Sequence, residues 1–370
     1  MDTEPSPAGA GRPDGPPVRL GALVPLTPPG WTDAGRHLLA GLDMAVDEVN
    51  AAGGVDGRPL ELTVRDTAAD PHRAEAVVDE LAALGVSALA GEYHSVAARA
   101  AATRAEALGV PFLCSSAVLD ALTGQPTESI ARIAPAQSHG WRLYADFLLG
   151  AGHRRIAVAT EPGAYWASGA GVLRDHLAPH GGTVVGLGAR TLTPDAVCDA
   201  LAGSGATALL LLVGSPEPAV SIVRSVRGDR RLSGILIGAP AGQPEFGSWA
   251  ASLGCDGAAI PFLRYLPERL GPLGARVEKD LRERLGEAPS FVALEGYDTV
   301  TVLAHVLRSH GADRARVAAA WSGVSVEGTR GLIRFSRTPG IGVRQWAWAP
   351  VQVADRDPSE PGRFRVLHTG

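Results

Sequence analysis

Three groups of residues in this 370-residue chain are of types that do chemistry. Cys114 is followed by Ser115 and Ser116 at the end of an apolar run, and His94 lies upstream where folding could bring it near, the makings of a thiol nucleophile with its base. A thiol buried at a strand end explains Cys114 as well, since nothing in the spacing fixes a Cys/His pair. His176 and His180 stand four apart, a helical spacing for metal ligands, but Pro179 interrupts the helix that would align them. The third group is GEYHS, Gly91 to Ser95, which follows an apolar run and opens a helix-period segment. A serine there can cap the helix and, with exposed backbone N–H groups, receive an anion. Neither GxSxG nor a P-loop occurs, and no glycine fingerprint follows the first strand. The residues therefore favour binding over catalysis, with no cofactor and no metal.

These groups need a scaffold, and the chain is long enough for two domains. Its net charge of -5, from 34 basic and 39 acidic residues mixed along the chain, leaves no footprint for nucleic acid or an anionic membrane. Cys114, Cys198 and Cys255 lie too far apart to make a disulfide framework or a zinc pattern. The opening MDTEPSPAGAGRPDGPP has no basic start followed by an apolar run, so residues 1–17 read as a disordered tail, neither signal peptide nor membrane insertion. Two locations stay open: cytoplasmic as the chain stands, or extracytoplasmic if an export signal has been removed.

Beyond the tail, apolar runs alternate with helix-period segments. From Ala34 to Asp66, residues Leu38, Leu42, Ala45, Val46 and Val49 recur at helical spacing, while Arg36, Asp43, Asp47 and Glu48 fill the opposite face. Asn50 and the pair Gly53-Gly54 tolerate positive φ and stop that helix before a strand at Leu60 to Val64. A helix at Ser95 to Leu108 and a strand at Val110 to Cys114 continue the beat. A second series runs from a helix at Ser138 to Gly150 to a strand at Ile235 to Gly238, with a helix near Gly169 to Leu177 inside it. The Pro/Gly-rich stretch from Arg264 to Gly274 reads as a hinge, followed by a helix at Phe291 to Ser309 and β-like runs at Leu332 to Phe335, Gln345 to Val353 and Arg363 to Leu367. In QWAWAP, Trp346 and Trp348 read as a strand turning both indoles to one face, as core packing. Alternation of this kind predicts an α/β protein with doubly wound parallel sheets.

An ordered series of segments now carries a resemblance: PLTPPG at Pro25 to Gly30, the NAAGGVDGRPLEL that ends the first helix, GVPFLCSSAVLDALT at Gly109 to Thr123, ARIAPAQSHGWRLYADFL at Ala131 to Leu148, EGYDTVTVLAHVL at Glu295 to Leu307 and GTRGLIRFSR at Gly328 to Arg337. In this series the chain resembles type I periplasmic binding proteins, the solute-binding proteins of ABC transporters, in their branched-chain amino-acid and amide (Leu/Ile/Val-binding-like) branch. The resemblance implies two Rossmann-like lobes joined by a three-strand hinge: lobe 1 from residues 18–137 plus 265–325, lobe 2 from 138–264 plus 326–370. A small-molecule ligand is then clamped between them by hinge closure. The further partner is an ABC permease if the protein is exported, or a regulator protein if it is a cytoplasmic sensor or sequestering protein. A third alternative is the same fold repurposed as a biosynthetic enzyme.

The family's ligand positions fall on named residues here. Ser95 matches the serine that contacts a ligand carboxylate, with Tyr93 and His94 on the same loop. Ser116 and Ala117 match a small residue and an alanine, but Val118 stands where the family has threonine. That missing hydroxyl removes a bond worth about 1.5 to 3 kcal/mol to a charged group. Tyr165 matches a tyrosine, while Trp166 replaces the usual glycine and either fills the pocket or stacks on a flat ligand. Ser215 lies where amino-acid binders often have an aromatic residue, and Pro240 near where they carry an acid for the α-ammonium. Trp31 covers the cleft mouth, and Asp298 braces the hinge. Without that acid a zwitterionic amino acid is disfavoured unless Glu92, Glu217, Glu245 or Glu295 reaches in. The expected ligand is a small polar or aromatic-containing metabolite, not a plain branched-chain amino acid. Ser95 and Tyr165 are expected to contact ligand without supporting the fold.

Overall fold

Strand β1 (Val18–Val24) and helix α1 (Thr32–Ala51) show how this sequence becomes structure. Leu38, Leu42, Ala45, Val46 and Val49 of α1 are all buried. Beyond the helix, Gly53 and Gly54 take φ of 94° and 74°, and the Gly54 N–H closes back on the Val49 carbonyl. Asn50 remains helical; its side chain instead brackets Leu60, accepting the Leu60 N–H at 2.7 Å and donating to the Leu60 carbonyl at 2.9 Å. The computed structural model describes residues 15–123, 127–187, 193–337 and 344–370. Most of the tail expected at 1–17 falls outside the described residues. Within it the Pro16 and Pro17 carbonyls are held by Arg58.

The first sheet continues with β2 (Leu60–Asp66), α2 (Pro71–Ala83), β3 (Ala88–Gly91), α3 (Ser95–Ala107), β4 (Phe112–Cys114) and β5 (Ile130–Arg132). The chain then builds α4 (Gln137–Gly150), β6 (Arg155–Thr160), α5 (Ala164–Leu177), β7 (Thr183–Gly186), α6 (Pro194–Ser204), β8 (Ala208–Leu212), α7 (Ala219–Gly228), β9 (Leu236–Gly238), α8 (Gly247–Leu253) and β10 (Phe262–Arg264). It returns through α9 (Pro272–Leu285), α10 (Phe291–His310), α11 (Arg314–Ala320), β11 (Ser325–Gly328), β12 (Gly331–Ser336) and β13 (Arg344–Trp346), and ends with β14 (Gln352–Arg356) and β15 (Phe364–Thr369).

Three sheets result: β11-β12-β13-β5-β4-β3-β1-β2, β7-β6-β8-β9 and β10-β14-β15. Strands β1 to β5 run parallel, as do β6 to β9, so both main sheets are doubly wound and their strands read as near-continuous apolar runs such as the fully buried ALLLL of β8. Helix α10 covers α1 with the two backbones almost touching: a Cβ on Gly41 would lie 1.9 Å from the Ala293 carbonyl oxygen. The chain passes between the lobes at 133–136, 265–271 and 347–351. No helix among the described residues is long and apolar enough to cross a membrane.

The expected assignment of all of 326–370 to lobe 2 does not hold. Strand β13 pairs in parallel with β5, and β12 pairs with β13, so β11 to β13 complete the sheet of lobe 1 and only β14 and β15 join β10 in lobe 2. The single strand expected at Gln345 to Val353 is therefore two strands in two sheets, separated by a turn that ends at Pro350, which has no N–H for a ladder. That turn also breaks the alternation expected of the two indoles: Trp346 is buried and Trp348 is 87% exposed. Helix α5 begins at Ala164, five residues before the expected start near Gly169, because Gly163 takes a φ of 155° as its N-cap.

Candidate functional site

The carboxyl ends of the parallel strands from both lobes face one cavity of about 300 Å³. From lobe 1 come Trp31 after β1, Tyr93, His94 and Ser95 after β3, and Ser116 and Val118 after β4; from lobe 2 come Gly163 to Trp166 after β6, Gly214 after β8 and Ala241 after β9. Tyr265 from the second crossing and Phe291 at the start of α10 complete the wall, their rings edge to face at 5.1 Å. Sequence reasoning missed Tyr265 and Phe291; the signal available was their position, one at the start of the Pro/Gly-rich hinge and one opening a long helix.

Of the residues singled out in the sequence, Trp31, Tyr93, His94, Ser95, Ser116, Val118, Tyr165 and Trp166 line this cavity. Ala117 and Ser215 do not. Ala117 points away, into the core formed with α2 and α3, and at the β8 end Gly214 takes the wall position while Ser215 stands outside the lining. Cys114 is buried, and burial pushes its thiol up to about 12, which removes the thiolate a nucleophile needs. His176 pairs with Asp146 at 2.7 Å, and among the described residues no group of three or more His, Cys, Asp or Glu could hold a metal ion.

The GEYHS loop owes its shape to two residues with positive φ. Gly91 has φ of 107° and passes so close to β1 that a Cβ would meet the Leu23 carbonyl oxygen at 2.4 Å; Glu92 follows at φ 61°. The fully buried Glu92 carboxylate offsets that strain, one oxygen accepting the Tyr93 and His94 N–H groups at 2.9 and 2.8 Å and the other the Thr67 hydroxyl at 2.6 Å. The N-cap of α3 is His94, and Ser95 is the first helical residue, a correction to its expected capping role. Its Oγ accepts the N–H groups of Val118 and Leu119, each at 3.2 Å, so it welds the β3 and β4 loops together and leaves its O–H as the remaining donor. Ser116 lies beside Glu295, whose carboxyl burial pushes up to about 7, and the Ser116 Oγ is in hydrogen-bond geometry with no described residue.

Among the described residues, no side chain that lines the cavity carries a fixed charge. His94 accepts the Trp31 N–H on Nε2 at 2.9 Å, which places its proton on Nδ1, and burial lowers its pKa to about 4. Burial likewise holds the hydroxyls of Tyr93, Tyr165 and Tyr265 neutral, far above the ordinary phenol range. Positive potential comes instead from the N-termini of α3 and α5, whose first residues line the cavity from opposite lobes and whose first N–H groups have no partner within their helices. None of the four acids considered for an ammonium enters. Glu92 holds its own loop, Glu217 accepts the Ser221 N–H, Glu245 is paired with Arg264, and Glu295 with Arg330.

The burial of Glu92 has a pH consequence. Its carboxyl is pushed up to about 7 from an ordinary 4.5, so between those values the folded state binds more protons than the unfolded one and stability falls as pH rises. Glu92→Gln keeps the shape and the acceptor, and is expected to remove about 2–3 kcal/mol of the stability that wild type loses between pH 5 and pH 8. Urea unfolding at both pH values checks this, and equal slopes for variant and wild type would contradict it.

A cleft between two doubly wound lobes, walled by helix N-termini and aromatic rings and crossed by three connections, defines a two-lobed small-molecule-binding protein. The family model for periplasmic binding protein matches residues 17–357. The chain belongs to that family, as a type I member of the Leu/Ile/Val-binding-like branch. It is 33% identical over 178 residues to Leu/Ile/Val-binding protein homolog 8 of Brucella abortus, an alignment covering 45% of this chain and 44% of the relative, so it spans less than half the length of the curated relative it matches. Its fold superimposes on a leucine-binding protein from Thermotoga maritima with a TM-score of 0.81 at 20% identity, over 95% of this chain and 98% of the other. An ABC-transporter solute-binding protein from R. palustris in complex with benzoate gives 0.80 at 18% identity, over 96% of each chain.

Proposed function

We propose that the protein binds a small aromatic carboxylate lacking an α-ammonium group, clamps it between the lobes, and serves as the solute-binding component of an ABC-type transporter. The observation that carries this reading is the cavity wall: aromatic rings, two helix N-termini and, among the described residues, no charged side chain. The carboxylate lies against the α3 N-terminus and the Ser95 and Ser116 hydroxyls, where backbone N–H groups and the helix dipole favour an anion. The ring fills the space among Trp31, Tyr93, Trp166, Tyr265 and Phe291. An α-ammonium would be enclosed with no anionic partner, at a cost of several kcal/mol. The same fold holds benzoate in the R. palustris protein, which supports a cleft able to take ring and carboxylate together.

The test is thermal unfolding with benzoate, 4-hydroxybenzoate, phenylalanine, leucine and valine. The aromatic acids are expected to stabilise, by about 2.7 kcal/mol at a hundredfold excess over Kd, while leucine and valine leave the transition unchanged. Stabilisation by leucine without a response to the aromatic acids would overturn the reading. The transporter role also places the protein outside the cytoplasmic membrane, which fractionation of cells producing the full-length product checks.

A further inference from the structure

We propose that Phe246 is a positioning residue that braces the aromatic wall of the cavity from behind only when the lobes close. Phe246 lies between β9 and α8 and travels with lobe 2: the neighbouring Gln243 donates to the Val213 carbonyl at the end of β8, 2.9 Å away. Its ring is nevertheless buried against lobe 1, edge to face with Trp31 at 6.2 Å, Tyr93 at 6.2 Å and His37 at 6.1 Å. Phe246 is not part of the cavity lining, whereas Trp31 and Tyr93 are. The ligand-facing rings of lobe 1 are therefore held from behind by a ring of lobe 2.

The segment that carries Phe246 is tied to lobe 2 by hydrogen bonds. Arg356 of β14 donates to the carbonyls of Pro244, Glu245 and Phe246 at 2.6, 3.1 and 3.0 Å. Glu245 adds a second crossing, accepting the Phe291 N–H at 3.1 Å while paired with Arg264. Arg356 and Arg264, both of lobe 2, hold the segment to that lobe, so opening breaks the Glu245–Phe291 bond and withdraws Phe246 from all three rings at once. Trp31 and Tyr93, 5.8 Å apart, then lose the edge contact that both share. Affinity depends on Phe246 without contact to the ligand, because only the fraction of molecules with the wall complete is competent to bind.

The experiment compares wild type with Phe246→Ala and Phe246→Leu, first without ligand by small-angle X-ray scattering, then by calorimetric titration with benzoate. The proposal expects ligand-free Phe246→Ala to have a larger radius of gyration than wild type, with Phe246→Leu between them. It expects benzoate affinity to fall about tenfold in the alanine variant and less in the leucine variant. Ligand-free scattering identical in all three proteins would overturn it. The scattering arm uses no ligand, so a failure of benzoate to bind wild type counts against the aromatic-acid reading alone. If Phe246→Ala does not fold, Phe246→Leu against wild type decides by the same two measurements.

Discussion

Ser95→Ala is expected to lower affinity for an aromatic carboxylate about a hundredfold and to destabilise lobe 1 by about 2 kcal/mol. The sequence supports only the first effect, since a serine opening a helix at a strand end reads as a ligand contact on an otherwise indifferent scaffold. The structure adds the second. Ser95 Oγ accepts the N–H groups of both Val118 and Leu119, and alanine leaves these two buried donors without that partner. The carbonyls of the same two residues accept from Arg132 Nη1, each at 3.1 Å, so the turn is gripped on both sides and cannot rotate to find new partners. Affinity falls because the hydroxyl donor is lost and because Val118, part of the wall, is no longer fixed. Titration with benzoate and urea unfolding measure the two effects separately. Lost affinity with wild-type stability would show that Ser95 serves the ligand alone.

The difference between these two roles reflects what a sequence can carry. Helix α1, its glycine stop and the strands around it are legible because periodicity and turn chemistry are local properties. Strands β5, β10 and β11 are three or four residues long, and the sequence gives no local sign of them, because each is defined by a partner elsewhere in the chain. The same limit misplaced β12 and β13: their apolar pattern is visible, but the pairing of β13 with β5, some two hundred residues earlier, is not. In the site, residues directly after a parallel strand could be named, since strand ends are where such folds place ligands. Tyr265 and Phe291 reach the cavity from a crossing and a helix start, and Phe246 acts from behind the wall. Their roles depend on how the lobes meet. The acids show the limit most plainly: Glu92, Glu245 and Glu295 look like free charges in the sequence, and each is buried with partners that only the fold supplies.

Arg330→Met is expected to be the most damaging single change to stability, costing about 3–5 kcal/mol at pH 8 and less at pH 5. Arg330 is buried at the turn between β11 and β12, donating from Nε to Asp298 at 2.9 Å and from Nη1 to Glu295 at 3.0 Å and the Tyr265 carbonyl at 3.3 Å. One guanidinium thus joins α10, the second lobe crossing and the last strands of lobe 1, with its charge 5.0 Å from the Trp346 ring. Methionine fills much of the volume but leaves two buried carboxylates without a cation. Asp298 keeps the Thr329 N–H at 2.6 Å, whereas Glu295, raised by burial to about 7 even with Arg330 present, must take up a proton to remain inside. Protonation is nearly free near pH 5 and costly at pH 8, because the folded state then binds protons that the unfolded state has released, so the loss relative to wild type grows as pH rises. Adding Glu295→Gln to the variant removes one of the two stranded charges and is expected to recover part of the loss at pH 8 and little at pH 5. Urea unfolding of both variants at the two pH values measures this. A loss independent of pH, unrelieved by Glu295→Gln, would mean that Arg330 supports the hinge by packing rather than by neutralising its two acids.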